Sequence, residues 1–75
     1  MKHERSIVTR ARSKDGNTFI VILRNMKNFQ TWYDVEIDKW RNGKVEVIVK
    51  DMLDADQAFD FFDRYTLKNN LIIQG

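Results

Sequence analysis

A chain of 75 residues and 9.0 kDa has room for one domain around one modest core. Hydrophobic residues make up 43% and charged residues 32%, a globular composition rather than a disordered one. Cysteine is absent, which removes disulfides, thiolate metal sites and thiol chemistry.

The net charge of +2 hides an asymmetry. Residues 1–31 hold seven Lys and Arg against two acids, whereas residues 32–75 hold six against nine. No apolar run follows MKHERS, and FIVIL at 19–23 is too short to span a bilayer. The expectation is a cytoplasmic protein without a signal peptide or membrane partner.

Two turn signals, Lys14-Asp15-Gly16 and Arg41-Asn42-Gly43, each sit between alternating apolar runs. With Lys14-Asp15-Gly16 as a three-residue loop, Ala11 stands opposite Phe19, Thr9 opposite Val21 and Ile7 opposite Leu23. Residues 24–31, RNMKNFQT, read as a connecting loop able to fold over part of the sheet.

WYDVEIDKW at 32–40 alternates strictly and carries Trp at both ends. A two-residue turn at Asn42-Gly43 would set Ile37 opposite Ile48. It would also put Glu36 and Asp38 on one face with Val47 and Val49. A three-residue loop, Arg41-Asn42-Gly43, instead pairs Ile37 with Val47, Val35 with Val49, Asp34 with Lys50 and Trp40 with Lys44. One face is then uniformly apolar, so this register, a type I turn with a Gly bulge, is expected.

The helix signal follows at once. Asp54-Ala55-Asp56-Gln57 has the spacing of a capping box, with Leu53 placed to staple onto Ala58. Ala55, Ala58, Phe59, Phe62 and Thr66 share one stripe, with Tyr65 beside it and Asp56, Asp60 and Asp63 opposite. Asn69 or Asn70 can end the helix, and Leu71-Ile72-Ile73 reads as a short last strand. The expected fold is a single α+β domain over residues 1–75. Two antiparallel hairpins form a four-stranded sheet, one helix packs on one face, and the order is β-β-β-β-α-β.

In that register Ile7, Phe19, Val21, Leu23, Tyr33, Val35, Ile37, Val45, Val47 and Val49 face the helix. The outer face receives Trp32 and Trp40 with Val8, Ile20, Ile22, Ile48 and Met52. An apolar patch of that size marks an interaction surface unless the 24–31 loop covers it. Large aromatics among charges suit such a surface. Arg10, Ile20, Ile22, Trp32, Trp40, Ile48 and Met52 are therefore the candidate contacts for a protein partner or a second copy. A small accessory or regulatory module of this kind is the favoured reading.

The alternative is nucleic acid. Arg10, Arg12, Lys14, Arg24 and Lys27 gather in the first hairpin and the segment after it, where they can follow a phosphate backbone. A sheet with one helix behind it resembles, in architecture alone, the arm-binding domains of tyrosine-family integrases, although no RNA-recognition motif occurs. Asp34, Glu36 and Asp38 on the same outer face oppose phosphate binding.

Catalysis and cofactors are not expected. His3 is the only histidine and is expected in a frayed terminus, so no Ser-His constellation is supported. Asp34, Glu36 and Asp38 lie roughly 6–7 Å apart along a strand, too far for one ion to bind all three side chains. Glu46 and Lys50 are four apart rather than the two of a Glu-x-Lys nuclease motif, and no phosphate-binding Gly-rich loop occurs.

Overall fold

A computed structural model describes residues 3–74. Four long strands, β1 (Glu4–Arg12), β2 (Thr18–Lys27), β3 (Gln30–Arg41) and β4 (Lys44–Leu53), precede helix α1 (Ala55–Lys68) and a short β5 (Ile72–Ile73). The antiparallel sheet has the order β4-β3-β2-β1-β5, with β2 at its centre. The α+β order β-β-β-β-α-β is the one expected, and β5 docks on β1 through Ala11–Ile73 and Arg12–Ile72 pairs.

Turn chemistry sets the register. Asn42 and Gly43 have φ of 52° and 77°, and Arg41 pairs with Lys44. That is a two-residue type I′ turn, whose twist matches the strands it joins. The second hairpin is therefore one residue away from the expected register: Ile37 meets Ile48, and Glu36 and Asp38 stand opposite Val49 and Val47.

RNMKNFQT does not form a loop. Lys27 pairs with Gln30 across Asn28 and Phe29, whose φ values are 51° and 65°. It is a second two-residue turn of the same hand, so β2 and β3 form a continuous hairpin that leaves the sheet uncovered.

The first hairpin closes through Ser13 and Thr18, leaving a loop of residues 14–17. Ser13 Oγ donates to Asp15 Oδ1 at 2.6 Å and accepts from the Asn17 and Thr18 N–H groups. The Ser13 hydroxyl, followed by the Asn17 N–H, holds the Asp15 carboxyl below its ordinary range. Ala11 consequently meets Ile20 and Thr9 meets Ile22, while a bulge at Val8 restores the expected Ile7–Leu23 pair.

These shifts reverse the expected faces of β2 and β4. Ile20 and Ile22 face the helix, and Ala11, Ile20, Ile22, Val35, Ile37, Ala58 and Phe62 are the fully buried apolar core. Phe19, Val45, Val47 and Val49 lie outside it, each about half exposed. Tyr33, Val35 and Ile37 do face the helix as expected. FIVIL is apolar at both parities, so periodicity could not choose between them.

The helix follows its local code. Gln57 N–H donates to Asp54 Oδ1 at 2.7 Å, and Asp54 N–H donates to Gln57 Oε1 at 3.1 Å, completing the capping box. At the other end Asn70 has φ of 53°. Leu71 N–H donates to Thr66 O and Asn70 N–H to Leu67 O, a Schellman ending with Asn in the position Gly usually takes. The helix packs on β2 and β3 through Ala58, Phe62 and Thr66, whereas Phe59, expected in the buried stripe, is exposed.

Candidate functional site

One face of the sheet is covered by α1; the other has no covering element among the described residues. Hydrogen-bonded registers arrange that open face in cross-strand rows. The first runs Ile72, Arg12, Phe19, Asp38, Val47 from β5 to β4. The next runs Arg10, Val21, Glu36, Val49, and a third begins Ile7, Leu23, Asp34. In the first two rows each strand contributes one chemistry: β1 basic, β2 apolar, β3 acidic, β4 apolar.

Within the rows Arg12 and Asp38 are separated by Phe19, and Arg10 and Glu36 by Val21. Two strand spacings place their backbones roughly 10 Å apart. Among the described residues none of these four charges is in an ion pair; the pairs that form are Arg5–Asp34 and Arg64–Asp60. Asp38 Oδ1 is buried and accepts no hydrogen bond, an unusual state for a carboxylate oxygen. A hollow of about 310 Å³ lies between β1 and β2, lined by Ile7, Arg10, Arg12, Phe19 and Val21.

Beyond the rows, toward the β2–β3 turn, the open face is closed by a polar network. Asn25 Nδ2 donates to Asp34 Oδ2 at 3.0 Å, Arg5 Nη2 to the same oxygen at 3.3 Å, and Met52 N–H to Asp34 Oδ1 at 3.2 Å. His3 Nε2 donates to Asn25 Oδ1 at 2.9 Å, and its ring stacks on Trp32 with centroids 5.3 Å apart. His3 is therefore docked rather than frayed. Asp34 and Asn25 are buried and both Asp34 oxygens have partners, so this cluster is structural. Lys50, expected opposite Asp34, pairs with Val35, and its ammonium lies 6.0 Å from the Phe61 ring centroid on the helix side.

Of the seven expected contact residues, Arg10 and Trp40 lie on the open face, Trp40 half exposed beside Val45. Ile20 and Ile22 are core residues under the helix, and Ile48 is half-buried against that core opposite Ile37. These three are corrected out of the surface. Trp32 is half-buried against His3, and Met52 is exposed at a bulge. Phe19, Val21, Val47 and Val49 occupy the open face in their stead, beside Glu36 and Asp38, which lie there as expected. The signal that marks Val47 and Val49 is Asn42-Gly43 read as a two-residue turn, whereas Phe19 and Val21 follow from the four-residue first loop and the two-residue turn at Asn28-Phe29.

The five basic residues considered for nucleic acid do not share a surface. Arg10 and Arg12 are on the open face, but Arg24 falls at the parity of Ile20 and Ile22, on the opposite face. Lys14 lies in the loop before β2 and Lys27 is the last residue of that strand, roughly 30 Å apart at strand rise.

Comparison with known protein families, with curated proteins and with solved structures finds no match to this chain. Among the described residues no three His, Cys, Asp or Glu side chains come together as a metal-binding group. No helix there is long and apolar enough to cross a membrane.

Proposed function

We propose that this chain is a small, non-catalytic interaction module that binds protein through the open face of its sheet, as an accessory or regulatory component in the cytoplasm. The observation that carries the reading is the composition of β2 against its surroundings. A strand apolar on both faces is the pattern of a strand buried between two layers, and α1 supplies only one. Phe19, Val21 and Leu23 await the other, with Val45, Val47, Val49 and Trp40 beside them.

Shape supports the same reading. The chain exposes 5639 Å², about 800 Å² more than is typical of a folded 9.0 kDa monomer. Its radius of gyration is 13.0 Å against about 11 Å for a compact domain of this length. The excess is of the size that one partner contributes to a standard protein interface, about 800 Å².

The test asks whether the open face is surface or core. At high dilution, where the single chain prevails, Val47→Asp/Val49→Asp should keep the circular dichroism and cooperative melting of the parent and lose its binding of a fluorescent apolar dye. Unfolding of that variant would make the face a core element and overturn the reading. Saturable, salt-sensitive binding of short nucleic acids, lost in Arg10→Glu/Arg12→Glu, would replace it with a phosphate-binding one.

A further inference from the structure

The strand order places β2 at the centre, with β1 and β5 on one side and β3 and β4 on the other. Across that centre the first two rows of the open face are antisymmetric in charge and the first is symmetric in apolar character, whereas the third, Ile7, Leu23 and Asp34, departs from the pattern. The first row reads apolar, basic, apolar, acidic, apolar: Ile72, Arg12, Phe19, Asp38, Val47. The second repeats its inner part with Arg10, Val21 and Glu36. A two-fold interface requires such a pattern, because each residue must complement the residue that the rotation lays upon it.

We infer that the occupant of the open face is a second copy of this chain, packed sheet to sheet about a two-fold axis running along β2. The inference rests on the open face being an interaction surface, and it adds the identity and orientation of the partner. Rotation about that axis lays β1 on the second copy's β3, β5 on its β4, and β2 on itself. Arg12 then meets Asp38 of the other copy, Arg10 meets Glu36, and Ile72 meets Val47, each contact occurring twice.

Face-packed sheets lie about 10 Å apart, a gap that opposed Arg and carboxylate side chains span together. Twisted sheets cross at about 30°, which tilts the axis by about 15° from β2 and keeps the match closest near the centre. Rotation about an axis lying across the strands would set β1 on β1 and β3 on β3, opposing like charges. The charge pattern therefore selects one of the two face-to-face arrangements.

The charge pattern is what favours a second copy over an unrelated protein. The charges on one face are complementary to the same face turned over. The surplus exposed surface matches one side of a standard interface.

Analytical ultracentrifugation of wild type, Arg10→Glu/Arg12→Glu and Glu36→Arg/Asp38→Arg tests this directly. Wild type should sediment as a dimer. Each reversed variant should be a folded monomer, with self-affinity weakened 100-fold or more. Mixed in equal amounts, the two variants should form a heterodimer, because one then carries acidic stripes at both positions and the other basic stripes. A wild type that stays monomeric at about 1 mM, or reversed variants that do not recombine, overturns the inference.

Should a reversed variant fail to fold, Arg10→Gln/Arg12→Gln and Glu36→Gln/Asp38→Gln replace the pair. Each is expected to weaken dimerisation at least tenfold, and unchanged affinity overturns the inference. The two readings fail separately. A monomeric wild type whose Val47→Asp/Val49→Asp variant stays folded removes the second copy but keeps the interaction surface. Unfolding of that variant removes the surface itself.

Discussion

Met52 donates its backbone N–H to Asp34 Oδ1 at 3.2 Å, and the two residues sit at the one irregularity between β3 and β4. Val35 pairs with Lys50 and Tyr33 with Leu53, so Asp34 faces both Asp51 and Met52. Met52 holds φ of 58° there, a left-handed conformation unfavourable for a residue with a side chain. The carboxylate that holds the bulge also accepts from Asn25 and Arg5. Of the three acids spaced along β3, Asp34 is thus used by the fold, whereas Glu36 and Asp38 have no ionic partner among the described residues.

Asp34→Ala should destabilise the chain by about 2–3 kcal/mol, because the buried Asn25 amide loses its acceptor and the bulge its anchor. The exposed half of the Arg5 pair adds little to that figure. Urea denaturation followed by tryptophan fluorescence reads the change. A loss below about 0.5 kcal/mol would show that the network is incidental to the bulge.

Phe29 occupies the second turn position between β2 and β3, with φ of 65° and its side chain fully exposed. Glycine adopts that conformation without steric cost, so Phe29→Gly should raise stability by about 1 kcal/mol. Thermal melting at constant protein concentration measures it. A lowered melting temperature would mean that Phe29 contributes packing which its exposure does not suggest.

Ile22 and Val47 discriminate the two faces of the sheet. Ile22 is completely buried and Val47 is 52% exposed. Ile22→Asp should abolish the cooperative melt, since an unpaired charge enters the core. Val47→Asp alone should change monomer stability by less than about 1 kcal/mol. Equal damage from both substitutions would return Val47 to the core.

Tyr65 OH is buried without a hydrogen-bond partner, while Lys39 Nζ sits 5.7 Å from its ring centroid. Removing an unsatisfied hydroxyl while keeping the ring should be neutral or stabilising, by up to about 1 kcal/mol. Denaturation of Tyr65→Phe checks this, and a loss of more than about 1 kcal/mol would require a partner for the hydroxyl.

Asp15 supplies a pH dependence of known sign. Its carboxyl is held below the ordinary carboxylate range, first by the Ser13 hydroxyl and next by the Asn17 N–H. A depressed folded-state pKa means that the ionised form stabilises the loop above the unfolded value. That contribution is lost as pH falls through the lower, folded-state value. An NMR titration of the Asp15 side-chain carbon should give a midpoint below that of the unfolded chain. A midpoint at or above the unfolded one would contradict the loop geometry.

Local chemistry was legible wherever its cause lay within a few residues. Asp54 and Gln57 marked the helix start, Asn69 or Asn70 its end, and Asn42-Gly43 a hairpin, because capping and turn preferences act on adjacent backbone groups. The element order and the α+β class followed from those signals. The Trp pair was a less direct guide: Trp40 does lie on the open face, but Trp32 is held against His3.

What needed the tertiary structure was parity. FIVIL offers apolar side chains to both faces, and only the combined loop lengths decide which set meets the helix. The requirement that one face be uniformly apolar pointed to a three-residue second turn, yet the type I′ geometry of Asn42 and Gly43 prevailed. It could prevail because β4 is an edge strand and α1 packs on β2 and β3, so the apolar side of β4 need not face the helix. The sequence by itself determined the elements, their caps and their order. Which valines lie under the helix and which lie open beside Glu36 and Asp38 was decided by register, a property of paired strands.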